Sequence, residues 1–168
     1  MSSAHAVSIL LEDRLSTLTR AVGLIRRRGM VVRSLAVGPT DRPGVSRLTL
    51  MLHSDSATAA RAAQHLQKVV GVRAVVAFSS DEGVTRELAL VKVRASPELH
   101  AELLDVVHLY NASVIEESSD ALIVELSGSE IFVLSCIRAL ERFGILEVAR
   151  SGTVALGSGR NLQLRTVS

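Results

Sequence analysis

Side chains able to hold a small ligand are most concentrated in the turn Glu12-Asp13-Arg14-Leu15-Ser16-Thr17-Leu18. The turn follows the apolar run Ala6–Leu11 and leads into residues with helical apolar spacing. A strand, a polar turn and a helix start together leave backbone N–H groups free to take an anion. Such turns usually contain a glycine, whereas this one has Leu15-Ser16-Thr17. Asp13 and Ser16 are also ordinary helix-capping types. Two readings therefore stand side by side, a helix cap with Leu15 and Leu18 in the core, or a ligand loop.

Little else is arranged for chemistry. His5, His53, His65, His100 and His108 show no metal-ligand spacing with carboxylates or with Cys136. His100 and His108 are two helical turns apart, too far for one ion. There is no Walker-type loop, no dinucleotide glycine fingerprint and no G-x-S-x-G elbow. Glu116 and Glu117 are adjacent strand residues that point to opposite faces. Arg26-Arg27-Arg28 stands where a helix ends, and the macrodipole alone favours cations there. These features imply no catalytic site.

The 168 residues are 48% hydrophobic with a net charge of +2, enough apolar content for a core and too little charge to imply a polyanion partner. The only aromatic residues are Phe78, Tyr110, Phe132 and Phe143, too few to stack bases across a sheet. The RNA-recognition reading of such a fold is set aside on that ground, and no nucleic-acid partner is expected. Cys136 is the single cysteine and reads as a small core residue. No run approaches the ~20 apolar residues of a membrane span, and Met1–Val7 lacks the pattern of a secretion signal. The expectation is a cytoplasmic protein with no membrane partner.

The elements that must position the turn repeat along the chain. Strand patterns at Ala6–Leu11, Val31–Val37, Val45–Leu52 and Val72–Phe78 alternate with helical patterns at Leu15–Arg28 and Ser56–Val69. Leu15, Leu18, Val22 and Ile25 are predicted to face the core from the first helix. The order βαββαβ recurs through Glu87–Val93, Pro97–Tyr110, Ser113–Glu117, Ala121–Leu126, Ser129–Arg142 and Ile145–Ala149, with Thr153–Leu156 extending or following. The fold class is α+β, two tandem ferredoxin-like units. The first is expected over 1–79, the second over 86–168, with 80–85 as linker. Small units with open sheet edges predict a dimer or larger assembly.

The stretch "RRGMVVRSLAVGPTDRPGVSRLTL", Arg27–Leu50, resembles the signature of the small, regulatory subunits of acetohydroxyacid synthase, also called acetolactate synthase. Arg28-Gly29, Ser34-Leu35-Ala36-Val37-Gly38, Thr40, Pro43, Ser46-Arg47 and Thr49 match the family pattern. "SILLED", "RELALVKVRA" and "FGILEVARSGTVALGSG" extend the similarity over nearly the whole chain. The resemblance implies an N-terminal ACT domain and a C-terminal ACT-like domain in a noncatalytic subunit. It implies a partner, the large catalytic subunit, which carries thiamine diphosphate, Mg and FAD, with no cofactor in this chain. It further implies a homodimer through the ACT domains, activation of the large subunit, and feedback control by valine or another branched-chain amino acid. The alternative is a freestanding ACT-domain amino-acid sensor acting on another enzyme.

By the same resemblance the effector loop is Asp13, Arg14, Leu15, Ser16, Thr17 and Leu18, completed by Val31 and Val32 of a second chain. Three positions depart from the family. Ser16 replaces a glycine, Asp13 an asparagine, and Val31 an asparagine able to hydrogen-bond. If Ser16 needed positive φ, it would cost about 1 kcal/mol. Losing a hydrogen bond to a charged ligand group costs roughly 1.5–3 kcal/mol. The expectation is a weakened or altered valine response.

Overall fold

The computed structural model describes residues 3–159 and 164, and its contacts divide the chain into two units. The first contains β1 (Ser3–Glu12), α1 (Leu15–Arg27), β2 (Val32–Pro39), β3 (Val45–Ser54), α2 (Ser56–Gln67) and β4 (Val72–Ser79). Its sheet order is β2-β3-β1-β4, with all three pairings antiparallel. This is the split-βαβ, ferredoxin-like arrangement expected from the repeat.

Alternation along the strands assigns the faces. Val7, Ile9, Leu11, Leu48, Leu50 and Leu52 pack with Ala21, Ile25, Ala62 and Leu66 of the helices. Full burial of a leucine or isoleucine contributes about 1.5–3 kcal/mol. α1 is rotated from its expected facing. Its buried residues are Thr17, Ala21 and Ile25, while Leu15 is 80% exposed and Val22 40%. The alanine allows α1 to lie close to the sheet, and the bulkier Val22 stays outside.

The second unit contains most of β5 (Gly83–Arg94), then α3 (His100–Leu109), β6 (Ser113–Glu117), β7 (Ala121–Gly128), α4 (Glu130–Leu140) and β8 (Ile145–Arg150). Its path β6-β7-β5-β8 repeats the topology of the first unit. Ala89, Val91, Val93, Leu122 and Leu126 pack beneath Leu103, Val133, Cys136 and Leu140. α3 starts later than its pattern suggested, because residues 97–99 form a turn. Phe132 is 36% exposed, and Val133 and Cys136 take the inward positions on α4.

The end of the chain differs from the expected division. The described residues after Gly152, 153–159 and 164, are grouped with the first unit, and the second covers Arg86–Gly152. β9 (Val154–Gly157) pairs with β5, Ser158 N–H donates to the Glu82 carbonyl at 2.7 Å, and Ala155 is buried with Ala6, Met51 and Phe78. Leu164 packs on Leu10, Val45 and Ala74. The physical reason is the uncovered face of the first sheet, which is apolar at these positions and takes the returning segment as its cover. The expected linker 80–85 holds a 3₁₀ turn, Ser80–Glu82, closed by a capping box in which Ser79 N–H meets Glu82 Oε2 at 2.9 Å. No helix among the described residues is long and apolar enough to cross a membrane.

Candidate functional site

Three short backbone bonds fix the turn between β1 and α1. Glu12 N–H donates to the Gly71 carbonyl at 2.8 Å, Asp13 N–H to Gly44 at 2.9 Å, and Arg14 N–H to Glu12 at 2.7 Å. Arg14 occupies the N-cap with extended backbone, φ −138° and ψ 132°, and makes no side-chain cap. Thr17 and Leu18 N–H groups both reach the Arg14 carbonyl, at 3.0 and 3.2 Å. The amides of Leu15 and Ser16 lie in the first turn, where a helix supplies no acceptor of its own.

Neither Asp13 nor Ser16 is the helix cap, which corrects that reading of the turn. Asp13 is held sideways instead, accepting the Ser46 hydroxyl on Oδ1 at 2.9 Å. Ser16 is an ordinary helical residue of α1, and among the described residues Asn111 is the non-glycine with positive φ. The conformational cost considered for a serine at this position therefore does not arise.

A cavity of about 520 Å³ opens beside the turn. Leu11, Leu15, Leu18 and Val37 supply its apolar wall, and Asp13, Arg14 and Ser46 its polar one. The Gly38-Pro39 end of β2 closes it. Four of the anticipated residues, Asp13, Arg14, Leu15 and Leu18, are thus brought together. Ser16 is exposed on the first turn and does not line the cavity. Thr17 turns inward at 1% exposure, its Oγ1 buried without a partner. Gly71 is why Thr17 fits, since a Cβ on Gly71 would sit 2.5 Å from Thr17 Oγ1.

Val31 and Val32 lie at the other end of α1, whose 13 residues span roughly 20 Å. Val31 is 70% exposed on the wall of a second cavity, while Val32 pairs with Leu52 and packs on the core. One chain therefore does not bring its own Val31 to its own loop. Ser46, Val37, Gly38 and Pro39 line the loop cavity but were not anticipated as site residues. All four lie in the Arg27–Leu50 stretch, yet their approach depends on the β2–β3 hairpin folding back beside β1.

The chemistry available is recognition. Open amides and the Arg14 guanidinium suit a carboxylate, the Asp13 carboxylate suits an ammonium, and the leucines and Val37 suit an aliphatic side chain. Cys136 is buried, and that burial pushes its thiol up to about 11, so it stays protonated near neutrality. Among the described residues no group of three metal-ligating side chains gathers. Arg26 and Arg27 occupy the last turn of α1, as the macrodipole favours.

Residues 7–74 match the family described as the acetohydroxyacid synthase small subunit-like ACT domain, and residues 86–159 match the small subunit of acetolactate synthase. The acetolactate synthase small subunit of Mycobacterium leprae is 37% identical over 92% of both chains. A probable acetolactate synthase small subunit of Archaeoglobus fulgidus is 34% identical over 92% of this chain and 97% of its own. The crystal structure of the acetolactate synthase small subunit from Thermotoga maritima superposes with a TM-score of 0.87 at 30% identity, covering 94% of this chain and 98% of that one.

Proposed function

The chain belongs to the acetolactate synthase small-subunit family, and from that premise we propose that it is a noncatalytic regulatory subunit. It binds and activates a large catalytic subunit, where thiamine diphosphate, a divalent metal and FAD reside. It reports a branched-chain amino acid to that enzyme. The observation that carries this reading is the β1–α1 cavity, with open amides, Arg14 and Asp13 beside an aliphatic wall. An α-amino acid with an aliphatic side chain presents the complementary three groups.

The site is completed across a homodimer of the first units. β2 is an edge strand with Leu35 and Val37 exposed at 39% and 49%, and Leu15 beside it at 80%. A second chain placed along that edge covers these side chains and brings its Val31 and Val32 toward the loop. Val31 has no side-chain hydrogen bond to offer, and Asp13 is already bonded to Ser46. Valine therefore binds more weakly than to a pocket with an asparagine at the strand position, by about ten- to a hundredfold.

Reconstitution with the large subunit tests both parts. Activity is expected to rise on adding this chain, with inhibition only at high valine, leucine or isoleucine. No stimulation refutes the regulatory-subunit reading and favours a freestanding sensor. Micromolar valine binding by calorimetry, with ordinary inhibition, refutes the weakened pocket. A monomeric mass by light scattering at micromolar concentration refutes the shared site.

A further inference from the structure

The two units divide the charge of the chain unequally. Met1–Thr85 holds eleven Lys or Arg and six Asp or Glu, whereas Arg86–Gly152 holds six and eleven. Much of the basic excess lies in the helical layer of the first unit, where neither α1 nor α2 contains a carboxylate. Arg20 and Arg27 of α1, Arg61 of α2 and its C-cap Lys68 are all exposed. Among the described residues none of the four has a salt-bridge partner. Arg20 and Arg61 bond neutral acceptors, the Val70 carbonyl at 3.5 Å and the Thr58 hydroxyl at 3.0 Å. Asp55, the acid beside this layer, is committed to capping α2, accepting the Thr58 N–H at 2.6 Å.

The macrodipole accounts for Arg27 and Lys68 at the helix ends. It does not account for Arg20 and Arg61, each the sixth residue of its helix. It also favours acids in the first turns, and both first turns lack them. A second observation is independent of charge. Gly23 lies mid-helix between Arg20 and Arg27, where glycine is unfavourable relative to alanine. Nothing inside the chain demands it, since a Cβ there would meet Arg27 Nη1 at an ordinary 3.5 Å. A glycine at such a place leaves room for another backbone to come close.

We propose that the outer face of α1 and α2 is where the large catalytic subunit docks, through a carboxylate-rich surface set against Arg20, Arg27, Arg61 and Lys68 and closest to the chain at Gly23. This rests on the regulatory-subunit reading and adds the surface that serves it. Guanidinium groups form paired bonds with carboxylates, and opposite charge speeds encounter and fixes orientation. The face stays open in a dimer built along β2. Leu15 and Val22, on the dimer side of α1, each stand five residues before Arg20 and Arg27, about 140° around the helix. A nucleic acid is the poorer occupant, since the acidic second unit repels a polyanion.

The test is binding of the full-length chain to the immobilised large subunit of the same organism, measured across a range of salt. Affinity is expected to fall as salt rises. Arg27→Glu and Arg61→Glu should each weaken binding by about tenfold, and together by about a hundredfold. Arg138→Glu makes the same change of net charge on the second unit and should leave binding unchanged. Gly23→Leu should melt no lower than the unaltered chain, because leucine is the better helix former, yet bind about tenfold more weakly. Melting curves identify any variant that fails to fold, and Gly23→Leu keeps the test decisive. If the unaltered chain binds but salt, Arg27→Glu and Arg61→Glu have no effect, the docking face is overturned and the regulatory-subunit reading stands. No binding by the unaltered chain overturns both. Equal weakening by Arg138→Glu would mean net charge alone and overturns the face. So does a lower mass of the small subunit by itself on Arg27→Glu, which would assign the face to another copy, and so does a short DNA duplex bound as tightly as the large subunit.

Discussion

The β1–α1 turn of the first unit and the β5–α3 turn of the second share a backbone scaffold and differ in side chains. Glu12 N–H donates to Gly71 at 2.8 Å, and Arg94 N–H donates to Gly144 at 2.9 Å. Asp13 N–H donates to Gly44, and Ala95 N–H to Asp120, both at 2.9 Å. The strand registers agree, Glu12 opposite Val45 and Arg94 opposite Ala121. Where the first turn has Asp13 tied to Ser46, the second has Ala95, and Leu122 follows Ala121 as Ser46 follows Val45. The first helix starts at Leu15 after one extended residue, whereas α3 waits for the 97–99 turn to pass. The repeat preserves what closes the fold. Both helix starts lack a side-chain cap, and the polar pair that suits a ligand occurs in the first copy.

Cutting the chain is the severest way to break this comparison. A chain ending at Ser80 loses Ala155 and Leu164, uncovering Ala6, Met51, Phe78, Leu10 and Val45. It should aggregate or bind a hydrophobic dye, whereas a chain that keeps residues 153–168 should not. Size-exclusion chromatography with dye fluorescence distinguishes them.

Next in size is the arginine of each unit that holds a buried polar partner. Arg150 grips Glu87 with bonds of 2.6 and 2.8 Å, and Glu87 is 4% exposed. Arg150→Met strands that carboxylate and should cost about 3 kcal/mol in urea unfolding, the low end for a broken buried pair because Arg150 is partly solvated. Arg47→Met loses a 2.8 Å bond to the buried Ser8 hydroxyl and should cost about 1 kcal/mol. Burial already lowers the Arg47 pKa, so part of that loss is offset by relief of desolvation.

The two turn-closing glycines give a finer contrast. Gly71 and Gly144 have φ of +92° and +88°, and alanine at either should cost about 1–2 kcal/mol. At Gly71 the new Cβ also meets Thr17, while at Gly144 its nearest contact is 3.8 Å. Gly71→Ala should therefore be worse by about 1–2 kcal/mol. Thr17→Ala removes the two closest contacts and should recover most of that excess, read as a coupling in a double-mutant cycle.

Helix caps provide the smallest effect. Thr58 N–H holds the Asp55 carboxyl below its ordinary value of 3.8. A depressed carboxyl stabilises the fold above the unfolded pKa and loses that contribution as pH falls through the folded one. α3 has no side-chain cap, and the α4 cap is the Ser129 hydroxyl, which does not titrate in this range. Asp55→Ala should flatten the acid limb of thermal stability below about pH 4. Ser129→Ala should lower stability at every pH.

Periodicity and breakers made the strand and helix order legible, because period-2 and period-3.6 patterns differ over a few residues. Gly29 and Gly71 marked the ends of the helical segments, and both have positive φ. The facing of α1 was not legible. Leu15-Leu18-Val22-Ile25 and Leu18-Ala21-Ile25 are both helical stripes, and contact with the sheet selects the second. Of the six loop residues anticipated, Asp13 to Leu18, four line the cavity, but the Asp13 partner was not anticipated, since Ser46 is 33 residues away.

The sequence by itself determined the two βαββαβ repeats and the family, because these rest on local pattern and ordered motifs. Only the tertiary structure decided that Ser16 is unstrained, that Thr17 turns inward against Gly71, and that Asp13 bonds Ser46. It also decided that the segment after Gly152 returns to the first sheet. Each of these depends on which distant backbone lies alongside, and that contact is set by packing the apolar faces together.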